Sequence, residues 1–214
     1  LSIDAYWNCL TDCHHCYSRR LNRTWGQDLR PADPQAVERQ LRNGLKNPNP
    51  KSTLAWALNR KKTLRLGNRT DPWQEAEQRH HVSREILRTL IRLKWTFAIQ
   101  TRFLHYLRTE QSLLRTAHDK KLLSIIAIIS PGVEWDVEHL ERGRTTPIDT
   151  RLQILRRWVR KEWNITVNGE PFIPGIHTPK DFRKILRRLK SIGIRRYNTY
   201  NLHFNDHVAK RLLS

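Results

Sequence analysis

The chain has 214 residues and a formal net charge of +20, from 40 Lys and Arg against 20 Asp and Glu. Its length suits one substantial core and no Gly/Ser linker divides it, so we expect a single domain over 1–214. The longest apolar run, 122–129, is far shorter than the roughly 18 residues of a membrane-spanning helix, so no membrane partner is expected. The basic excess indicates a polyanionic partner, nucleic acid first, although basic helices that merely face solvent would give the same composition.

Short strands alternate with longer helices along the chain. Helices are predicted over 34–45, 75–93, 147–161 and 179–192; in the first, Val37, Leu41 and Leu45 recur at near-helical spacing. This alternation predicts an α/β fold with a parallel sheet. The predicted strands are 1–5, 63–66, 95–101, 122–129, 164–167 and 195–200.

Two of the predicted helices share one start signal. Thr146 and Thr178 are expected to be N-caps, each followed by Pro at the first helical position and by an acidic residue in the first turn. In the second of these helices an apolar stripe runs opposite Arg183, Arg187 and Arg188. That helix should therefore lie on the sheet with a basic outer face.

All three cysteines lie in one short loop after the first predicted strand. Cys9, Cys13 and Cys16 have the spacing C-x3-C-x2-C, and three thiolates so placed can bind three irons of a 4Fe-4S cluster and leave the fourth open. A zinc knuckle with His14 or His15 as fourth ligand is an alternative, although this spacing is unusual for zinc. A disulfide framework fits poorly because the cysteine count is odd and no secretory signal is recognisable. Unbridged cysteines indicate a reducing, cytoplasmic location.

The cysteine loop resembles that of the radical S-adenosylmethionine (radical SAM) superfamily, in which an aromatic residue commonly precedes the last cysteine; His15 holds that position here. Other segments are similar to its spore photoproduct lyase-like branch. Residues 67–77, GNRTDPWQEAE, resemble the branch's G-T-D-P-Y-Q-P-x-E segment. Residues 140–151 and 171–178 are similar to its L-E-P-G…R and P-x-I-P-G-x-N-D stretches. The resemblance implies a partial (β/α)6 TIM-like barrel.

The resemblance also implies the cofactors and the site. The enzyme would bind a 4Fe-4S cluster and S-adenosyl-L-methionine, receive an electron from a reductant such as flavodoxin or ferredoxin, and form a 5′-deoxyadenosyl radical that abstracts hydrogen from an unreactive carbon. Cys9, Cys13 and Cys16 would ligate the cluster. Because catalytic groups gather at the carboxyl ends of barrel strands, further site residues are expected there. The predicted cofactor-binding residues are His15, Tyr17, Gly67, Asn68, Thr70, Asp71, Thr101, Arg102, Ser130 and Arg151.

Each of these assignments has an ordinary structural alternative. Gly67 and Asn68 could form a plain turn at a strand end, Asp71 could form an Asx turn before Pro72, and Arg151 could be one more surface charge. Most of the eight tryptophans are expected in the core, whereas Trp73 and Tyr17, inside the matched loops, are the predicted base-stacking residues.

One departure from the family bears on the reaction. Spore photoproduct lyases use a further cysteine thiol to return a hydrogen atom, and this chain has no cysteine beyond the three of the loop. We therefore expect modification or rearrangement of a DNA or RNA base, DNA favoured, rather than lyase activity, with Tyr17, Tyr197, Tyr200 or the cofactor product returning the hydrogen. The alternatives are a radical SAM enzyme acting on a peptide or partner protein, and a zinc-dependent, non-catalytic nucleic-acid-binding module.

Overall fold

The computed structural model describes residues 1–18, 28–200, 202 and 208, and six parallel strands form its sheet. Each strand pairs with the next one along the chain, so the order across the sheet is the order in the sequence. With helical crossovers between the strands, this is the arrangement of a partial barrel, and the predicted fold class is confirmed. The strands are β1 Ser2–Ile3, β2 Leu64–Leu66, β3 Phe97–Thr101, β4 Leu123–Ile128, β5 Ile165–Asn168 and β6 Tyr197–Asn198.

Eight α-helices lie in the described residues, together with a 3-10 turn at Arg108–Glu110 and a π-helical turn at Asp136–Leu140. The second, fifth and sixth helices were not predicted because they are too short to show a clear helical period. None of the described helices is long and apolar enough to cross a membrane. The helices are α1 Pro34–Lys46, α2 Thr53–Asn59, α3 Glu77–His80, α4 Val82–Arg92, α5 Leu104–Leu107, α6 Gln111–Asp119, α7 Ile148–Val159 and α8 Pro179–Ser191.

The prediction of one helix over 75–93 is wrong, because the helix is interrupted at His81 and two separate helices form. His81 has a φ of 53°, in the left-handed region, and separates α3 from α4. The buried carboxylate of Glu77 accepts the backbone N–H groups of Ser83 and Arg84, both at 2.9 Å, and so caps α4. It also accepts the hydroxyl of Tyr6 at 2.5 Å, which ties this break to the segment after β1.

The two predicted N-caps have different outcomes. Thr178 caps α8 in a reciprocal pair with Asp181, as predicted. The prediction for Thr146 is wrong: α7 begins at Ile148 with no side-chain cap, and the Thr146 hydroxyl lies 2.5 Å from Nδ1 of His105 instead. The Thr146 hydroxyl thus bonds the side chain of His105, outside the helix, instead of a backbone N–H group of α7.

The core fills the space between the sheet and the helices with aliphatic side chains from both, such as Ile99, Ile125, Leu90 and Leu155. Four described tryptophans are also buried in it, namely Trp73, Trp95, Trp158 and Trp163. Trp73 is only 1% exposed, so its predicted role in base stacking is wrong. The indole packs in the core and so supports the loop of residues 67–77.

Candidate active site

One cleft opens at the carboxyl ends of the strands, with an open space of about 1150 Å³ that includes solvent at its mouth. Ten of the predicted site residues line it: Cys9, Cys13, His15, Cys16, Tyr17, Gly67, Asn68, Thr70, Asp71 and Arg102. Five others, Thr101, Ser130, Arg151, Tyr197 and Tyr200, are not among its lining residues. The structure thus brings together segments from the loops after β1, β2 and β5 and the ends of β3 and β4.

Gln74 holds the cysteine loop from both sides of Cys9. Its side chain is fully buried; Nε2 donates to the carbonyl of Asn8 at 2.8 Å, and Oε1 accepts the N–H of Leu10 at 2.7 Å. A side-chain amide can satisfy a backbone donor and a backbone acceptor at once, which fixes the path of the chain around the thiol. Gln74 is not among the predicted site residues, although it lies in the segment that resembles the family motif.

Asp4 organises the loop after β2. One carboxylate oxygen of this residue, which follows β1, accepts the backbone N–H groups of Asn68, Arg69 and Thr70 at 2.8, 2.8 and 3.2 Å. Gly67 precedes this turn with a φ of 85°, and a Cβ there would lie 2.4 Å from Cδ of Pro72. Only glycine fits, because both the conformation and the close approach exclude a side chain.

Asp71 points its carboxylate at the end of β3. It accepts the hydroxyl of Thr101 at 2.6 Å and the N–H of Arg102 at 2.7 Å, and the N–H of Trp73 at 3.0 Å completes an Asx turn. Burial raises the pKa of Asp71 in spite of these bonds. Thr101 therefore contacts Asp71 rather than the open cleft, and the Asx-turn alternative describes the local geometry.

A buried chain of charges runs away from the cleft. Arg102 Nε donates to Glu141 at 2.8 Å, and Arg151 Nη2 donates to the other oxygen of Glu141 at 2.5 Å. Burial would raise the pKa of Glu141, but the two guanidiniums and the Thr145 hydroxyl outweigh it and lower the pKa to about 2. Arg151 also donates to the carbonyls of Ile128 and Thr146 and is fully buried, so it is neither a surface charge nor a cleft residue.

Arg102 places a partly buried positive charge beside the cysteine loop. Its Nη2 lies 3.1 Å from Nε2 of His15, which must accept because a guanidinium only donates. Burial raises the pKa of the Cys9 thiol and raises that of Cys13 well above its usual value, while the charge of Arg102 acts in the opposite direction on Cys13. A positive charge at this point favours negative charge on the loop.

The segment after the π-helical turn covers the cysteine loop. The carbonyl of Leu140 accepts the N–H of His14 at 2.8 Å, and Arg142 pairs with Asp12 at 2.6 Å. Arg144 donates to the carbonyl of Leu10 at 3.2 Å. Residues 140–144, which resemble a segment of the family, therefore hold the cysteine loop in place. We call this segment the 140–144 brace.

The other predicted residues lie outside the cleft. Ser130 donates to the carbonyl of Glu170 at 3.0 Å. Tyr197 packs over Gly169, where a Cβ would overlap its hydroxyl, and burial raises its pKa. Tyr200 is 62% exposed, whereas Tyr17 lines the cleft with its hydroxyl 3.4 Å from the carbonyl of Asn68. Of the three predicted hydrogen-returning tyrosines, Tyr17 alone lines the cleft as the structure describes it.

The three thiols border the same cleft. Thiolates are the usual protein ligands of a 4Fe-4S cluster, in which each of three irons takes one thiolate, so the donor set of this loop fits such a group. Open space beside them leaves room for a further ligand.

Solved structures share this architecture. A spore photoproduct lyase mutant with bound AdoMet and dinucleoside spore photoproduct matches 99% of this chain at 14% identity and a TM-score of 0.68. Streptococcus suis SuiB bound to S-adenosylmethionine matches 96% at 12% identity and a TM-score of 0.64. The chain has the radical SAM fold. The cobalamin-dependent radical enzyme OxsB, with aqua-cobalamin bound, matches 99% at 13% identity and a TM-score of 0.58.

These likenesses confirm the predicted relationship at the level of the radical SAM fold. The chain spans 59% of the lyase, 41% of SuiB and 29% of OxsB. No protein-family model matches the sequence, and no curated protein matches it.

Proposed function

We propose that this chain is a radical SAM enzyme that modifies or rearranges a base in a nucleic acid, DNA favoured over RNA. The observation that carries the proposal is the meeting of the C-x3-C-x2-C loop and the GNRTDPWQEAE loop at one cleft of a radical SAM fold. When bound, a 4Fe-4S cluster and S-adenosyl-L-methionine would supply a 5′-deoxyadenosyl radical able to abstract hydrogen from an unreactive carbon.

Cys9, Cys13 and Cys16 would hold the cluster, and Gln74 and the 140–144 brace would keep their loop in place. Arg102 contributes a fixed positive charge beside that loop, and its link to Glu141 and Arg151 prevents the guanidinium from turning away. Around the cofactor, the ordered backbone between Gly67 and Thr70 offers polar groups whose positions Asp4 sets.

The nucleic-acid substrate is inferred from charge. The chain carries 20 more basic than acidic residues, and several exposed cations border the cleft or face outward from α8, such as Arg69, Arg183 and Arg187. Such an excess favours a polyanion because binding it relieves the repulsion. A spore photoproduct lyase of the same fold holds a dinucleoside in its solved structure, which supports a base as the substrate. A flavodoxin- or ferredoxin-like reductant and a reducing compartment belong to the same proposal.

The first experiment separates this proposal from a zinc module. Anaerobically reconstituted protein should be brown, bind about four irons per chain and produce 5′-deoxyadenosine from S-adenosylmethionine under reduction. Cys9→Ala, Cys13→Ala and Cys16→Ala should each abolish that product. Ser112→Ala on α6, an exposed residue remote from the cleft, is the matched control and should behave as wild type. A colourless protein with stoichiometric zinc would contradict the proposal.

A further inference from the structure

Most of the exposed apolar side chains lie on segments that follow the carboxyl ends of the strands. Among the described residues, eight large apolar or aromatic side chains are more than a third exposed, and six of them follow the carboxyl end of a strand. Water-exposed apolar surface concentrated on one side of a molecule indicates a binding face. The six are Trp7, Leu10, Tyr17, Trp135, Ile176 and Tyr200.

Trp135 differs from the other five because its ring already stacks on another aromatic ring, that of His139. It lies after β4, is 43% exposed, and its ring is nearly parallel to that of His139, with centroids 4.6 Å apart and planes at 14°. Nδ1 of His139 donates to the Trp135 carbonyl at 3.0 Å, which fixes the imidazole against the indole. Trp135 immediately precedes a π-helical turn and His139 lies within it; this rare conformation occurs frequently at functional sites.

Cations adjoin this pair on two sides. Glu134, the neighbour of Trp135, pairs with the partly buried Arg188 at 2.5 Å and with the exposed Lys184 at 3.7 Å, so Trp135 follows a residue that contacts α8. On the other side the chain continues into the 140–144 brace, where Arg142 and Arg144 contact the cysteine loop. The Trp135–His139 pair thus follows a residue that contacts α8 and precedes the segment that contacts the cysteine loop.

We propose that the Trp135–His139 pair is a stacking platform for a base of single-stranded nucleic acid, next to the base that enters the cleft. This inference rests on the proposed function and names the form of its substrate. Every base has a π-face, so an ordered indole binds a strand with little sequence preference, while neighbouring cations attract its phosphates. Paired bases in a duplex hide those faces, so a single strand is the form that fits.

The test is binding of a fluorescein-labelled strand of twelve thymidylates, measured by anisotropy over a salt series. Trp135→Ala should weaken binding by about 5- to 100-fold, the range found for loss of one base–aromatic stack. The salt dependence should stay unchanged, since no phosphate contact is removed. Trp135→Tyr should keep most of the affinity because it retains an aromatic face.

Trp56→Ala is the matched control. Trp56 on α2 is 45% exposed and also has a cation nearby, Lys62, whose Nζ lies 5.0 Å from the ring centroid. Lys62 precedes β2, so this tryptophan belongs to the opposite end of the sheet, and its loss should leave the affinity unchanged.

Binding by Trp135→Ala within twofold of wild type, or an equal loss in Trp56→Ala, would overturn the platform while leaving the proposed enzyme intact. Wild-type protein that produces 5′-deoxyadenosine but has no measurable affinity for the strand would overturn the nucleic-acid substrate itself. The melting temperature and the circular dichroism spectrum of Trp135→Ala should match those of wild type, which shows that the variant is folded.

Discussion

Gln74 shows how one buried side chain can secure a metal-binding loop. Gln74→Leu would leave the carbonyl of Asn8 and the N–H of Leu10 without their partner; because both groups are only partly buried, each loss should cost about 1 kcal/mol, at the low end of the range for buried groups. We expect a lower melting temperature and faster loss of iron to a chelator, both measurable on reconstituted protein.

Gln78→Leu is the control for that variant, because Gln78 lies four residues further on α3 and is exposed. Gln74→Glu should be intermediate, since a carboxylate can still accept the N–H of Leu10 but cannot donate to Asn8. Iron retention in Gln74→Leu equal to that of the Gln78 variant would show that the loop holds its shape without the amide.

Glu141 gives a prediction that depends on pH. Its pKa is about 2 in the folded chain against an ordinary 4.5, so its ion pairs stabilise fully above about pH 4.5 and lose effect as the pH falls towards 2. Glu141→Gln leaves two buried guanidiniums without a charged partner and should cost on the order of 3–5 kcal/mol at pH 7. Urea unfolding should show this deficit shrinking between pH 5 and pH 3.

The same substitution at Glu138, which is exposed on the π-helical turn, should change stability by less than about 0.5 kcal/mol at any of these pH values. If the loss of unfolding free energy in Glu141→Gln stays constant with pH, the charge of Glu141 does not explain it, and the packing of this side chain does.

Helix α8 carries both an ion-paired arginine and arginines that are exposed to solvent. Arg188 is only 24% exposed and bonds Glu134 and Asp149, both at 2.5 Å, so it belongs to the fold rather than to the outer face predicted for it. Arg183 and Arg187 remain exposed. If these two contact phosphates, Arg183→Glu with Arg187→Glu should reduce the salt slope of single-strand binding by roughly 0.7 for each lost contact.

The control is a double charge reversal at exposed residues on and next to α6, Arg115→Glu with Lys120→Glu. It changes the net charge by the same amount as the variant on α8. Both variants should lose affinity through the lower net charge, but only the α8 variant should lose slope. Equal slopes in the two variants would show that the face of α8 is simply solvated.

Over the whole molecule, the alternation of short strand segments with helical segments predicted the six strands and a parallel sheet. It could not predict that His81 ends a helix, since the cause is a carboxylate that also bonds Tyr6, 71 residues away along the chain. Likewise, the motif over 67–77 located Asp71 and the position at a strand end located Arg102, but whether a side chain faces the cleft or the interior depends on partners such as Glu141.

The complete set of thiols leads to the last prediction. All three cysteines line the cleft as proposed cluster ligands, so the chain has no further thiol to return a hydrogen atom to a repaired thymine. With dinucleoside spore photoproduct, we expect 5′-deoxyadenosine to form while reversal of the photoproduct to thymidine, measured by liquid chromatography, stays negligible. A modifiable base that is the true substrate should raise the yield of 5′-deoxyadenosine and pass deuterium from a labelled carbon into it.

Tyr17 is the tyrosine placed to act in that reaction, because it lines the cleft, whereas Tyr200 is exposed at the end of β6. Tyr17→Phe should therefore lower the yield of modified base while 5′-deoxyadenosine still forms, and Tyr200→Phe should change neither. Efficient repair of the photoproduct by wild-type protein would overturn the modification proposal in favour of lyase activity. If that repair survived in Tyr17→Phe, the returned hydrogen would have to come from another group at the cleft.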